Sequence, residues 1–142
     1  MTAKEYLQQI YHINQRIKRI ERQRDDLRAS MFGMHSPAGN MDTDRVQTSG
    51  SGDAMLKMIA RVDLLEREIL REMDRLIDRK EIITAQIEAM EDERYKTVLF
   101  ERYVLCRRWE WIANDMHYQI KWVFALHSQA LEAFADKYDL RD

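Results

Sequence analysis

The chain has 142 residues, with 23 Lys plus Arg, 25 Asp plus Glu, four Gly, one Pro and one Cys, enough for one modest core or two small ones. No apolar run approaches the roughly 20 residues of a spanning helix, which argues against a membrane protein, and a single cysteine excludes an internal disulfide. The net charge of −2 excludes the strongly basic balance that by itself announces a nucleic-acid partner, so any such reading has to rest on motif.

The opening residues, Met1-Thr2-Ala3-Lys4-Glu5-Tyr6, lack the basic start and apolar core of a secretory signal, and a cytoplasmic setting is expected. In residues 6–31, Tyr6, Ile10, Ile13, Ile17, Ile20, Leu27 and Met31 follow a 4-3-4-3 rhythm broken at Arg24. That spacing predicts one long helix with a single apolar stripe. Residues 1–31 hold 7 basic groups against 4 acidic ones and are the only basic stretch of the chain. Arg16, Arg19 and Arg22 fall in it and are candidate auxiliary phosphate contacts.

All four glycines and the only proline lie in 33–52, beside Ser36, Asn40, Thr43, Thr48, Ser49 and Ser51. This composition predicts a flexible loop over 32–53. The period resumes at Met55 and runs through Val62, Leu65, Ile69, Leu76, Ile83, Ile87 and Met90, with positions 62, 69, 76, 83 and 90 seven apart. A second long helix is predicted, forming an antiparallel, coiled-coil-like hairpin with the first. Leu56, Leu64, Leu70 and Ile77 widen its apolar face beyond what a hairpin needs, so a further partner is expected: either the C-terminal segment folds back onto this helix, or two hairpins pair as a homodimer through the long helices, the favoured reading. Arg67, Arg71, Arg75 and Arg79 alternate with Glu68, Glu72, Asp74 and Asp78, a pattern of solvated ion pairs. The domains read as 1–90, a dimerising hairpin, and 91–142, a separate C-terminal domain.

From Glu91 the heptads stop, and three shorter amphipathic units follow over 92–104, 109–116 and 120–134. A short helix with a small residue at Ala113, a three-residue break and a longer helix is the pattern of a helix-turn-helix. The chain therefore reads as all-α. No chemistry of catalysis or metal binding emerges. His12, His35, His117 and His127 have no ligand spacing, Cys106 has neither a second cysteine for zinc nor a base pattern for a nucleophile, and every glycine sits in one polar loop. Neither an enzyme nor a cofactor is expected.

The runs Glu93-Arg94-Tyr95-Lys96-Thr97-Val98-Leu99-Phe100-Glu101-Arg102-Tyr103-Val104, Trp109-Glu110-Trp111-Ile112-Ala113-Asn114-Asp115-Met116 and Val123-Phe124-Ala125-Leu126-His127-Ser128-Gln129-Ala130-Leu131 resemble region 4 of bacterial sigma factors. More closely, they resemble the sigma-like tail of phage transcriptional regulators of the RinA and ArpU type and of related phage proteins of unknown function. The resemblance spans about residues 86–134. It implies double-stranded DNA binding with the helix from Ile120 in the major groove, presenting Ile120, Lys121, Trp122, Ala125, Ser128 and Gln129, with Gln119 at its start and Arg107 and Arg108 on the backbone. It also allows a contact with RNA polymerase or another protein, in a bacterial host cell.

The family's pattern is not met everywhere. Cys106 and His117 stand where the turns carry glycine, and Arg108 and Gln119 stand where Ser or Thr caps the helices. The expected recognition face is also rich in Ile120, Trp122, Phe124 and Ala125, with one lysine. Two alternatives follow: a protein-interaction module, an inhibitor or assembly factor, with a degenerate helix-turn-helix, or a small terminase-like DNA-packaging subunit, in which the DNA-binding unit usually comes first.

Overall fold

The computed structural model describes residues 1–34 and 44–141, the side chains of residues 34 and 44–51 excepted. Among the described residues every regular element is helical: α1 (Ala3–Leu7), α2 (Gln9–Met34), α3 (Asp44–Glu88), α4 (Glu93–Leu99), a π-helical turn (Phe100–Val104), α5 (Trp109–Met116) and α6 (Ile120–Tyr138).

α1 begins in a capping box. The Thr2 hydroxyl accepts the Glu5 N–H and the Glu5 carboxylate accepts the Thr2 N–H, each at 3.2 Å, so two otherwise orphaned donors are satisfied. The single helix expected over 6–31 is interrupted at Gln8. There the Gln9 side-chain amide donates to the Tyr6 carbonyl at 2.9 Å, a side-chain intrusion of the kind that breaks a helical ladder.

Both flanks of the loop expected over 32–53 are helical. Phe32 and Gly33 continue α2, and Asp44 to Asp53, with Gly50 and Gly52, belong to α3. A glycine inside a helix costs only about 1 kcal/mol, which a long helix absorbs. The remainder of that expected loop, with His35, Ser36, Pro37, Gly39, Asn40 and Thr43, lies outside the described residues.

The compact units do not divide after Met90. One combines Met1–Asn14 with Arg75–Asp142, and the other is Gln15–Asp74. Periodicity marks a helix's apolar stripe but not which partner covers each part of it, so a boundary placed where the heptads end misses this division.

The first unit buries Leu7 and Ile10 with Ile83 and Ile87 of α3, Val98 and Leu99 of α4, Ile112 of α5, and Val123, Ala130 and Phe134 of α6, all without solvent exposure. Each large apolar side chain so buried contributes about 1.5–3 kcal/mol. Two tyrosines tie the edges of this core to one residue: the Tyr6 hydroxyl donates to Gln86 Oε1 at 2.6 Å and the Tyr138 hydroxyl to the Gln86 carbonyl at 2.7 Å.

The second unit buries Ile17 and Ile20 of α2 with Leu65 and Ile69 of α3. Ion pairs flank the stripe. Arg16 meets Glu68 at 2.9 Å and Glu72 at 3.1 Å, while Arg24 and Arg28 meet Glu66. Such exposed pairs contribute at most about 1 kcal/mol each, so the isoleucines and leucines hold the unit and the charges set its solubility.

Candidate nucleic-acid interface

The C-terminal elements form a helix, a three-residue turn and a longer helix, preceded by a π-helical turn. In that turn the Leu105 N–H reaches the Phe100 carbonyl at 3.1 Å, and the Arg107 N–H reaches the Glu101 carbonyl at 2.9 Å. Cys106, with a left-handed φ of 56°, lies within the ring closed by the second of these bonds. α5 then starts from Arg108, whose extended backbone has an N-cap conformation but whose side chain makes no cap hydrogen bond.

α5 ends at His117, φ 59° and ψ 37°, with the Tyr118 N–H on the Ala113 carbonyl at 3.0 Å and the His117 N–H on the Asn114 carbonyl at 3.3 Å. That reversal is a left-handed C-terminal cap, made here by a residue with a Cβ, which costs about 1–2 kcal/mol relative to glycine. α6 starts from Gln119, again without a side-chain cap. Cys106 and His117 thus stand at the two turns' left-handed positions, and Arg108 and Gln119 at the two N-caps.

α6 buries Val123, Leu126, Ala130 and Phe134 and leaves Ile120, Lys121, Trp122, Phe124, Ala125, Ser128 and Gln129 exposed, Trp122 at 67%. The small Ala113 of α5 and Ala130 of α6 are both buried. Lys121 is the only formally charged side chain from Ile120 to Leu131; the first carboxylate is Glu132.

His127 joins three elements, a role not visible in its sequence context, where packing, turn and surface are the available readings. The Tyr103 hydroxyl of the π-helical turn lies 2.6 Å from His127 Nε2, and the Trp109 indole stands edge-on to the imidazole with centroids 4.6 Å apart. Burial pushes the His127 imidazolium down to about 4, with Lys4 and Arg102 adding to the effect. Burial also pushes the Tyr103 phenol up to about 12. At neutral pH the pair is therefore a neutral phenol hydrogen-bonded to a neutral imidazole. The available signal is the concentration of Tyr103, Trp109, Phe124 and His127 in adjoining segments, but pairing them requires the fold.

Two arginines lie over indole rings. The Arg102 guanidinium lies 4.5 Å above the Trp109 ring and donates to the Arg107 carbonyl at 2.9 Å; the Arg107 guanidinium lies 4.3 Å above Trp111. Stacking of this kind restricts an arginine while leaving its edge donors directed outward. Among the described residues Arg107, Arg108 and Lys121 make no ion pair. Glu101, next to Arg102, has one buried carboxylate oxygen without a hydrogen-bond partner. Its carboxyl is raised above its ordinary value by desolvation and by Asp115, with Arg107 opposing.

Beside α6 runs a groove of about 340 Å³ lined by Arg94, Tyr118, Trp122, Ala125, Leu126 and Gln129. Gln129 accepts the Tyr95 hydroxyl at 3.3 Å, which leaves its amide nitrogen as the side chain's donor. Arg94 is turned toward Asp92 at 3.0 Å. The auxiliary candidates belong to the other unit. There Arg16 is already engaged by Glu68 and Glu72, while Arg19 and Arg22 are exposed.

Among the described residues no cluster of three or more His, Cys, Asp or Glu is arranged to hold a metal, and no helix is long and apolar enough to cross a membrane. Comparison with protein-family models, characterised proteins and solved structures returns no match.

Proposed function

We propose that this chain is a phage-type, DNA-binding transcriptional regulator that lays α6 in the major groove, with α5, the His117–Gln119 turn and α6 acting as a sigma region-4-like helix-turn-helix. In this reading the long helices α2 and α3 form an antiparallel hairpin. The observation that carries the proposal is the left-handed reversal at His117 between α5 and α6, supported by an α6 free of carboxylates through Leu131 and by Arg107, Arg108 and Lys121, which make no ion pair among the described residues.

The roles divide by reach. Arg107, stacked on Trp111, and Arg108 contact phosphates and fix the docking register. Lys121, on the first turn of α6, meets a phosphate or a guanine edge, and Gln119 and Gln129 add backbone contacts. Ile120, Trp122 and Ala125 supply apolar contacts to base edges, thymine methyl groups among them, and Ser128 a hydrogen bond.

The test is fluorescence anisotropy of the protein on duplex fragments from its own genomic neighbourhood, titrated across salt. Changing Arg107, Arg108 and Lys121 to Ala should weaken binding and flatten the salt slope by about 0.9 for each phosphate that is no longer neutralised. Absence of binding at low salt would overturn the proposal.

A second reading has its own observation. Trp122 is 67% exposed, with Ile120 and Phe124 on the same helix also open to solvent, a surface that suits a protein partner such as RNA polymerase. If that reading holds, Trp122→Ala abolishes capture of the polymerase and leaves DNA binding and helix content unchanged.

A further inference from the structure

Besides the stripe that carries Leu65 and Ile69, α3 bears a second line of large apolar residues that stand exposed. Leu56 is 66% exposed, Ile59 48%, Leu70 63% and Met73 44%. With Asp63 and Glu66 between them, positions 56, 59, 63, 66, 70 and 73 follow a 3-4-3-4-3 spacing, a coiled-coil seam displaced around the helix from the buried one.

The order of residue types along this seam is the same in both directions: apolar, apolar, acidic, acidic, apolar, apolar. We infer that the seam seats the same seam of a second copy, antiparallel, across a two-fold axis midway between Leu64 and Leu65. Leu56 then faces the partner's Met73, Ile59 the partner's Leu70, and Asp63 the partner's Glu66. A two-fold interface requires a self-complementary patch, and the reversible order of this seam meets that condition.

Charge selects the antiparallel sense. Asp63 pairs with Arg67 of its own helix at 3.0 Å, and Glu66 is engaged by Arg24 and Arg28, so the two acidic layers bring their own cations to the centre. In the antiparallel register Arg67 lies within one residue's rise of the partner's Asp63, about 1.5 Å along the axis. In a parallel pair the same two groups are four residues apart, about 6 Å. Opposed helix dipoles favour the antiparallel pair as well. The inference uses only residues of the Gln15–Asp74 unit and does not depend on what α6 contacts.

Sedimentation equilibrium of the full chain tests the association, and cross-linking tests the register. The wild type should be a dimer. Leu70→Glu, at an exposed position, should raise the dissociation constant at least tenfold while circular dichroism stays unchanged. In a Cys106→Ser background, Leu56→Cys together with Met73→Cys should yield a disulfide-linked dimer under mild oxidation. Leu56→Cys alone should not, since the two introduced thiols then sit about 26 Å apart along the axis. A chain that stays monomeric at every concentration, a dimer indifferent to Leu70→Glu, or cross-linking by Leu56→Cys alone would each overturn the inference.

Discussion

Acidification from pH 7 to pH 4 should loosen the packing of the π-helical turn against α5 and α6 by charging His127. Its imidazole is held neutral in the fold, down to about 4 against an ordinary 6.5, because burial penalises the cation. Its Nε2 lies 2.6 Å from the Tyr103 hydroxyl, so the neutral ring keeps one hydrogen bond inside the fold. The unfolded chain takes up the proton first. The stability due to this group is therefore complete above about pH 6.5 and is lost as the pH falls toward 4. At about 1.4 kcal/mol per pH unit of displacement, reduced because solvent screens a half-buried ring, the loss amounts to about 2 kcal/mol.

Urea unfolding from pH 7 to 4 measures that slope, and His127→Leu separates it from the carboxylates, because the variant's profile should be flatter than the wild type's by about the same 2 kcal/mol. NMR of the His127 ring should show its midpoint near pH 4. Tyr103→Phe, which removes the hydroxyl beside Nε2, should leave that midpoint well below 6.5, because burial remains the main cause of the shift. A ring titrating near 6.5, or identical pH profiles for wild type and His127→Leu, would refute the reasoning.

The left-handed position at the end of α5 and the bare cap at the start of α6 should both be improvable. His117→Gly should raise stability by about 1 kcal/mol by relieving the Cβ at φ 59°, and Gln119→Ser by about 1 kcal/mol by capping α6, both read as an increase in Tm. Phe134→Ala empties a site with no solvent exposure at the centre of the first unit and should cost about 3–5 kcal/mol in denaturant unfolding.

Much of the architecture is legible from spacing. The helical class, the stripes of α2 and α3, and the buried and exposed positions of α6 follow from a 3.6-residue period in a chain without glycine or proline outside one stretch. Composition misleads within that stretch, because Gly33, Gly50 and Gly52 read as punctuation while the backbone runs through them as helix. The candidate site is legible only in part. Exposure at Lys121, Trp122 and Gln129 follows from the helical wheel, but the stacking of Arg107 on Trp111 and the contact of Tyr103 with His127 depend on a π-helical turn that no residue spacing announces. The engagement of Arg16 by Glu68 and Glu72 is equally hidden, since those carboxylates lie 52 and 56 residues away.

The packing of residues 1–14 with 75–142 also sets the order in which this protein can assemble. The Tyr6–Gln86 hydrogen bond spans 80 residues, and Leu7 and Ile10 share a core with residues as distant as Phe134. Closing so long a loop is entropically costly before any contact offsets it, and such non-local topology slows folding. On the ribosome, the core that α1 joins is incomplete until α6 has emerged. A fragment cut at residue 91 to isolate the C-terminal helices would lack Leu7, Ile10, Ile83 and Ile87 from its core, so a sound binding experiment on α6 needs both ends of the chain.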